Sequence, residues 1–323
     1  MLHLEFIVER QLSGVRIDSF LGCHLRNFTS WRLHRLVVSG CVQVDDVTAD
    51  PYQRVSQGQS VRVELAEPPD KLLPAPAGEV PVVYEDPWLM VIDKPVGMVA
   101  HPVGDFGDQT LSNFLQSHLD RQTILPGLLR PGIVHRLDRM TSGLMVVVRE
   151  QRTHRELSAD FENGRPQKSY LALIEGSPTF ETVRIDLPIG RHPDGFGVLM
   201  SAAAAARDSR PAVTEVRVVQ QLRSCCLVNC RLLTGRNHQI RVHMAQIGHP
   251  VLGDEFYGPG GTIRSQPRSA ENPRTEQRHA LHAAELTIRH PILRRDLTFR
   301  SPPPADFWKT MLTLSDTRSV VRD

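Results

Sequence analysis

Residues 132–150 read GIVHRLDRMTSGLMVVVRE and set charge directly against an apolar run. Leu144 to Val148 have the form of a buried strand, yet His135, Arg136, Asp138 and Arg139 stand a few residues before it. Charge is costly in a core, so the segment divides into parts with different surroundings. Ile133 and Val134 are strand-like, Thr141, Ser142 and Gly143 are an ordinary turn sequence, and residues 135–139 fall between them as a loop. Such a loop can aim Asp138 into a groove while the apolar strand behind keeps it rigid. A lone aspartate between two strands is more often a turn former than a catalyst, so this stretch does not decide its own role.

Working outward, strand-like runs recur at 169–174, 213–219 and 226–233, and 80–95 reads as two short strands about a turn at Glu85, Asp86 and Pro87. Helical patterning appears at 109–119, with Leu111, Phe114, Leu115 and His118 in phase. It appears again at 151–161 and 237–247, where Gly164 and Gly248 supply stops. An excess of strands without regular alternation with helices predicts an α+β fold: a mixed, largely antiparallel central sheet with flanking helices.

Residues 67–80, EPPDKLLPAPAGEV, have the proline-rich, small and polar composition of a linker. The chain is thereby expected to divide into a small α/β unit at 10–66, the linker, a large unit at 81–310 and a tail at 311–323. In the small unit Thr29 or Ser30 can cap a helix through Trp31, Leu33, Leu36 and Val37 that stops at Gly40. CVQVDD (41–46) and QSVRVEL (59–65) alternate as half-buried strands. From His24 to Leu36 the chain carries His24, Arg26, Arg32, His34 and Arg35 with no acidic residue, so one basic helix face is expected. That face suits a solvated surface or a phosphate-binding one equally well.

Hydrophobic residues make up 40% of the 323, enough for a substantial core. No apolar stretch is long enough to cross a bilayer, and Glu5 and Glu9 interrupt the place where a signal peptide would be apolar. A cytoplasmic protein with no membrane association is expected. The cysteines, Cys23, Cys41, Cys225, Cys226 and Cys230, include no CxxC pair, which argues against a disulfide framework and a zinc knuckle. The histidines contain no HExxH, and no metal is expected. A net charge of +2 neither demands nor excludes a polyanionic partner.

A second run, TGRNHQIRVHMAQIGHPVLGDEFYG (234–258), again sets Arg236, His238, Gln239 and Arg241 at a helix start beside an apolar face. Two such clusters are costly unless they meet. A carboxylate buried against an arginine stays ionised, so Asp138 paired with Arg241 would be a permanently charged, positioned nucleophile or base. In QKSYLALIEG (167–176), Tyr170 follows Lys168 on an otherwise aliphatic strand, and taken alone it reads as a core aromatic.

These segments, in order, resemble the RluA-type pseudouridine synthases: VVYEDPWLMVIDKPVGMVAHP, GIVHRLDRMTSGLMVVVRE, KSYLAL, the 234–258 run and HALHAAELTIRHP. Ahead of them GVRIDSFL, the basic stretch, VSGCVQVDD and VSQGQSVRVEL resemble the S-four-type RNA-binding domain. The resemblance implies an enzyme that detaches uracil from its ribose, rotates it and rejoins it through carbon, with no cofactor and no metal. RNA is the implied partner, ribosomal by analogy with transfer RNA as the alternative, and a monomer is expected.

By that resemblance Asp138 matches the catalytic aspartate, Tyr170 the active-site tyrosine that stacks on uracil, and Arg241 the basic partner of the aspartate. Arg136 matches the arginine that enters the RNA stack as the target nucleotide leaves. His135, Arg236, His238 and Gln239 share those motifs and are expected at the RNA and base-flipping site, with Arg26, Arg32 and Arg35 on RNA phosphates. The loops 201–209 and 262–279 are polar or low-complexity, and the second is arginine-rich enough to suggest disorder with weak RNA contact. Two positions depart from the family pattern: Met140 stands where an acidic residue is usual, and Asn237, itself a good helix capper, where threonine is usual. A binding protein on the same fold, an RNA chaperone or ribosome-assembly factor, is the competing class; intact Asp138, Tyr170 and Arg241 favour the enzyme.

Overall fold

A computed structural model describes residues 2–26, 28–65, 80–101, 109–122, 131–193, 199–264 and 278–315. The N-terminal unit comprises β1 (Leu2–Ile7), α1 (Ile17–His24), α2 (Ser30–Val38), β2 (Val42–Val44), β3 (Val47–Thr48) and β4 (Ser60–Leu65), with sheet order β1-β4-β2-β3. Its core, including Phe20, Leu21, Leu33, Val37, Val61 and Val63, draws only on residues of this unit. β1 precedes the expected start at residue 10, and it pairs with β4 from Leu2↔Leu65 to Ile7↔Ser60. Thr29 caps α2 by accepting the Arg32 amide at 3.1 Å, and Gly40 takes the positive φ, +74°, that ends the turn.

The single basic helix face expected from His24 to Leu36 does not form. The chain breaks between α1 and α2, which lets Phe20, Leu21 and Leu25 enter the same core as Leu33 and Val37. Arg26 therefore lies in the connection, apart from Arg32 and Arg35, and its carbonyl accepts the Gln151 amide of the second unit at 2.8 Å.

The second unit runs β5 (Val82–Glu85), β6 (Leu89–Lys94), α3 (Leu111–Asp120), β7 (Gly132–Ile133), β8 (Ser142–Val148), α4 (Gln151–Glu162) and β9 (Gln167–Glu175). It continues through β10 (Thr182–Asp186), β11 (Ile189–Arg191), β12 (Met200–Ser201), β13 (Arg207–Arg210), β14 (Val213–Gln221) and β15 (Cys225–Leu232). Helix α5 (Gln239–Gln246), β16 (Leu281–Arg289), β17 (Asp296–Arg300) and α6 (Ala305–Ser315) complete it. Its main sheet has the order β10-β14-β15-β9-β16-β8-β6-β5, with β7 beside β8 and β17 beside β16. Among the described strands only β16 and β8 pair in parallel, so the fold is α+β with a mixed, largely antiparallel sheet.

β8 explains its own apolar run. Every residue of it is buried, because alternate side chains serve two cores. Met145 and Val147 pack with Leu111, Leu115 and Leu119 of α3, whereas Leu144, Val146 and Val148 pack with Leu157 of α4 and Leu89 and Val91 of β6. At roughly 1.5–3 kcal/mol for each large side chain buried, this strand anchors the unit.

Three features of the second unit differ from expectation. Helix α6 crosses residue 310, because Phe307 is buried with Leu173, Leu227 and Ala280 and ties the helix to the sheet. The 201–209 segment is partly ordered into β12 and β13, which flank β11 in a separate small sheet. On α3, Phe114 and His118 are only half-buried, and the inward face adds Ser112, Asn113 and Gln116. Residues 67–79 of the expected linker, residue 66 before them and 265–277 of the expected arginine-rich loop lie outside the described residues.

Candidate active site

Asp138 stands on the loop between β7 and β8, and the loop is tied down through its backbone. The Asp138 carbonyl accepts the Thr141 amide at 3.0 Å, closing a turn. The Arg139 carbonyl accepts both the Gly97 amide at 2.9 Å and the Lys94 ammonium at 3.1 Å. The fully buried Lys94 gives two more bonds, to the Pro95 and Met98 carbonyls, although burial pulls its pKa down to about 7. Beyond the turn, Gly143 takes φ +114°, and any Cβ there would overlap the Ala283 backbone of β16. Glycine alone lets the parallel pair close directly beneath the loop.

The Met140 carbonyl accepts from Arg278 Nη1 at 3.1 Å, and the same guanidinium reaches the His279 and Leu281 carbonyls and Asp306. Position 140 thus contributes a backbone contact that methionine supplies as well as an acidic residue does.

Asp138 Oδ2 accepts from Arg241 Nη1 at 2.9 Å. Arg241 is 2% exposed and is held from its other side by Asp254, Nε to Oδ2 at 2.6 Å and Nη2 to Oδ1 at 2.9 Å. Asp254 is 0% exposed and also accepts the Phe256 and Tyr257 amides, whereas the Asp138 side chain is 23% exposed. One buried cation thus bridges two carboxylates, of which only Asp138 reaches the cleft. Burial would raise the Asp138 carboxyl, but His238, Arg241 and His279 outweigh it and hold it below the usual carboxylate range. Arg241 is pushed the opposite way: burial opposes its charge, and the two carboxylates prevail.

His238 has the left-handed backbone φ of +55° and forms the N-cap of α5, so Asn237 does not cap the helix. The displacement has a local cause. Gln239 Oε1 already accepts the Arg236 amide at 2.9 Å and the Thr234 hydroxyl at 2.8 Å, while its Nε2 donates to Val213 and Thr214 of β14. Gln239, buried and fully bonded, staples the 234–238 turn to the sheet. Tyr257 Oη accepts the Met200 amide and can donate to His238 Nδ1 at 2.7 Å, which leaves the ring proton on Nε2, 3.9 Å from Asp138 Oδ1. Burial, opposed by the charge of Asp138, lowers the His238 pKa.

Tyr170, from β9, is buried and faces the same cleft. Burial, then the charge of Asp138, raises its hydroxyl pKa, so it remains a neutral phenol. The cleft holds about 690 Å³ and is lined by Asp138, Tyr170, Arg241, Arg136, Arg236 and Lys168 among others. Arg136 is exposed there and hydrogen bonds to no described residue. His135 has a different occupation: its Nε2 accepts the Val146 amide at 2.9 Å, and its ring stacks on Phe161 at 4.2 Å. Burial, aided by Lys168, lowers its pKa to about 3, so it ties the loop to β8 as a neutral ring. In the N-terminal unit, Arg32 lies over Phe28 at 4.2 Å and Arg35 over the exposed Trp31 at 4.8 Å.

Sequence reading did not single out Asp254, Tyr257, Lys94 or Arg278. Asp254 alone carried a signal, an acidic residue inside the charged 234–258 run.

Human RNA pseudouridylate synthase domain containing 4 is similar over 72% of this chain and 92% of its own, with TM-score 0.56 and 25% identity. The corresponding domain containing 1 protein gives 73%, 86%, 0.55 and 25%. The family model for RNA pseudouridylate synthase matches residues 88–246. Ribosomal large subunit pseudouridine synthase D of Nitrosomonas europaea is 36% identical over 304 residues, 94% of this chain and 85% of its own. Its namesake in Pseudomonas aeruginosa is 35% identical over 316 residues, 96% of each chain. The chain belongs to the RNA pseudouridylate synthase family and isomerises uridine in RNA to pseudouridine.

Proposed function

We propose that the chain modifies uridines of large-subunit ribosomal RNA, with Asp138 as the acting carboxylate, Tyr170 as the surface that receives the uracil and Arg241 as the group that keeps Asp138 charged. The observation that carries this reading is the shared arginine: Arg241 is neutralised by buried Asp254 and still holds Asp138 ionised at the edge of the cleft. In the reaction the bond from C1′ to N1 breaks and one from C1′ to C5 forms, while C5 loses a proton and N1 gains one. A carboxylate can serve by attacking C1′ or by taking a sugar proton, and both routes need it charged in a partly dry site. The target nucleotide must leave its stack, at a cost of a few kcal/mol. Stacking on Tyr170 recovers about 1–3 kcal/mol, and the planar guanidinium of Arg136, exposed at the cleft, is suited to fill the gap left behind.

The names of the bacterial relatives support ribosomal RNA as the substrate. The separate core of residues 2–65 and the cation-aromatic pairs at Arg32 and Arg35 support an S-four-type RNA-binding domain tethered through the linker. We also propose that it works on RNA in the cytoplasm as a monomer; among the described residues no helix is long and apolar enough to cross a membrane. Asp138→Asn tests the assignment: pseudouridine formation on deproteinised large-subunit RNA should vanish while RNA binding stays within about twofold. Continued isomerisation by that variant would overturn it.

A further inference from the structure

The two buried lysines of the second unit are in opposite situations. Lys94 gives its protons to three carbonyls. Lys168 is 8% exposed and lines the cleft, yet among the described residues no acceptor hydrogen bonds to it and no carboxylate forms an ion pair with it. The Phe161 ring, 6.0 Å from Nζ, is its one ring contact among those residues. The Lys168 stem is buried while its Nζ keeps access to the cleft, so the ammonium loses part of its water without gaining an acceptor, and a methionine of similar length would fill the same space without that cost. Fold stability therefore does not explain a lysine here.

Its neighbour carries the same sign. A Cβ added at Gly235 would lie 3.3 Å from Lys168 Nζ, so the Lys168 ammonium sits against the turn that carries Arg236. Arg236 commits Nε to the Pro211 carbonyl at 3.0 Å and also lines the cleft. Burial, and then the charge of Arg236, lowers the Lys168 pKa, as expected of two cations with no counter-charge between them. An anion relieves both penalties. Lys168 and Tyr170 are alternate residues of β9 and share a face, so whatever binds the lysine lies beside the base-receiving ring. Uracil and ribose carry no charge; the anions of RNA are its phosphates.

We propose that Lys168 and Arg236 form a binding site for one backbone phosphate flanking the flipped uridine, an inference that rests on the reading of the cleft as the uridine site. The phosphate fixes the nucleotide's sugar relative to Asp138, and Lys168 acts as a substrate-binding residue distinct from the groups that act on the base and ribose.

The test takes a synthetic stem-loop RNA built around a uridine that the wild-type enzyme modifies, made in three forms: unmodified, and with a neutral methylphosphonate on the 5′ or the 3′ side of that uridine. Lys168→Met should lower kcat/KM on unmodified RNA by about tenfold or more, the loss of one charged hydrogen bond, with Lys168→Arg restoring most of it. One of the two methylphosphonates should cost wild type a similar factor and cost Lys168→Met little. Equal losses for both enzymes at both positions would overturn the phosphate site while leaving the uridine reading intact. Should wild type modify no uridine in cellular RNA, the reading beneath it fails instead. Unchanged melting of Lys168→Met ties the effect to the substrate, whereas a melting loss matching the activity loss would assign the lysine to the fold and sink the proposal.

Discussion

Asp254→Asn removes one of the two carboxylates on Arg241, and the structure grades that loss against its counterpart, Asp138→Asn. Arg241 is 2% exposed, Asp254 0% and the Asp138 side chain 23%. Breaking a buried ion pair from one side costs about 3–5 kcal/mol, because the remaining charge is left without compensation. The amide that replaces the Asp254 carboxylate can still accept one hydrogen bond, and Asp138 still neutralises part of the charge, so the lower end, about 3 kcal/mol, is expected. For a unit of this size that is a melting temperature lower by about 6–12 °C. Asp138→Asn leaves the bidentate Arg241–Asp254 pair whole and should cost about 1 kcal/mol or less, in the range of a partly exposed pair. Urea and thermal unfolding measure the stabilities, and single-turnover pseudouridine formation below the melting range measures the chemistry. The expected pattern is crossed: Asp254→Asn unstable with activity remaining, Asp138→Asn stable and inactive. Equal destabilisation by the two, or a wild-type melting curve for Asp254→Asn, would refute the division of labour around Arg241.

Arg278→Met removes the guanidinium that holds the Met140 carbonyl, so kcat should fall about tenfold or more with the RNA Kd unchanged; an equal loss in Kd would place Arg278 on the RNA instead. Burial holds His279 near a pKa of about 3, whereas in the unfolded chain it protonates near 6.5. The unfolded state therefore binds more protons between those values, and stability is lost as pH falls below about 6.5, by up to about 1.4 kcal/mol per pH unit from this residue. His279→Gln should flatten that slope in urea unfolding from pH 7 to 4.5, and an identical slope would contradict the assignment. Arg32→Ala combined with Arg35→Ala should weaken RNA binding and shallow its salt dependence by about 0.7–0.9 for each phosphate no longer neutralised; a wild-type slope would mean that α2 does not meet RNA.

Much of the architecture was legible because its signals are local. The apolar run of β8, the patterned α4 and the cap at Thr29 each depend on neighbouring side chains and turn residues, and each lies within a few residues of its expected place. The break between α1 and α2 was missed because a basic stretch looks continuous until the core beneath it claims Leu25 as well as Leu33. Helix α6 was missed at its boundary for the same reason, since only the packing of Phe307 shows that residues past 310 belong to the sheet unit.

By itself the sequence determined the strand-rich composition of the second unit, the loop that carries Asp138 and the ordered motifs that point to uridine isomerisation. Tertiary structure alone decided which charges share a partner. Asp138 and Arg241 are 103 residues apart, and they meet because β9, β16 and β8 lie side by side while Gly143 lets the last two close up. Burial then separates residues that look alike in the sequence. Asp254 neutralises an arginine while Asp138 faces a cleft, and Lys94 is satisfied by carbonyls while Lys168 is left facing the cleft. Periodicity reports which face of an element is apolar, but the free energy of a charge depends on the distance to its counter-charge and on its exclusion from water, and both are set only when distant segments pack.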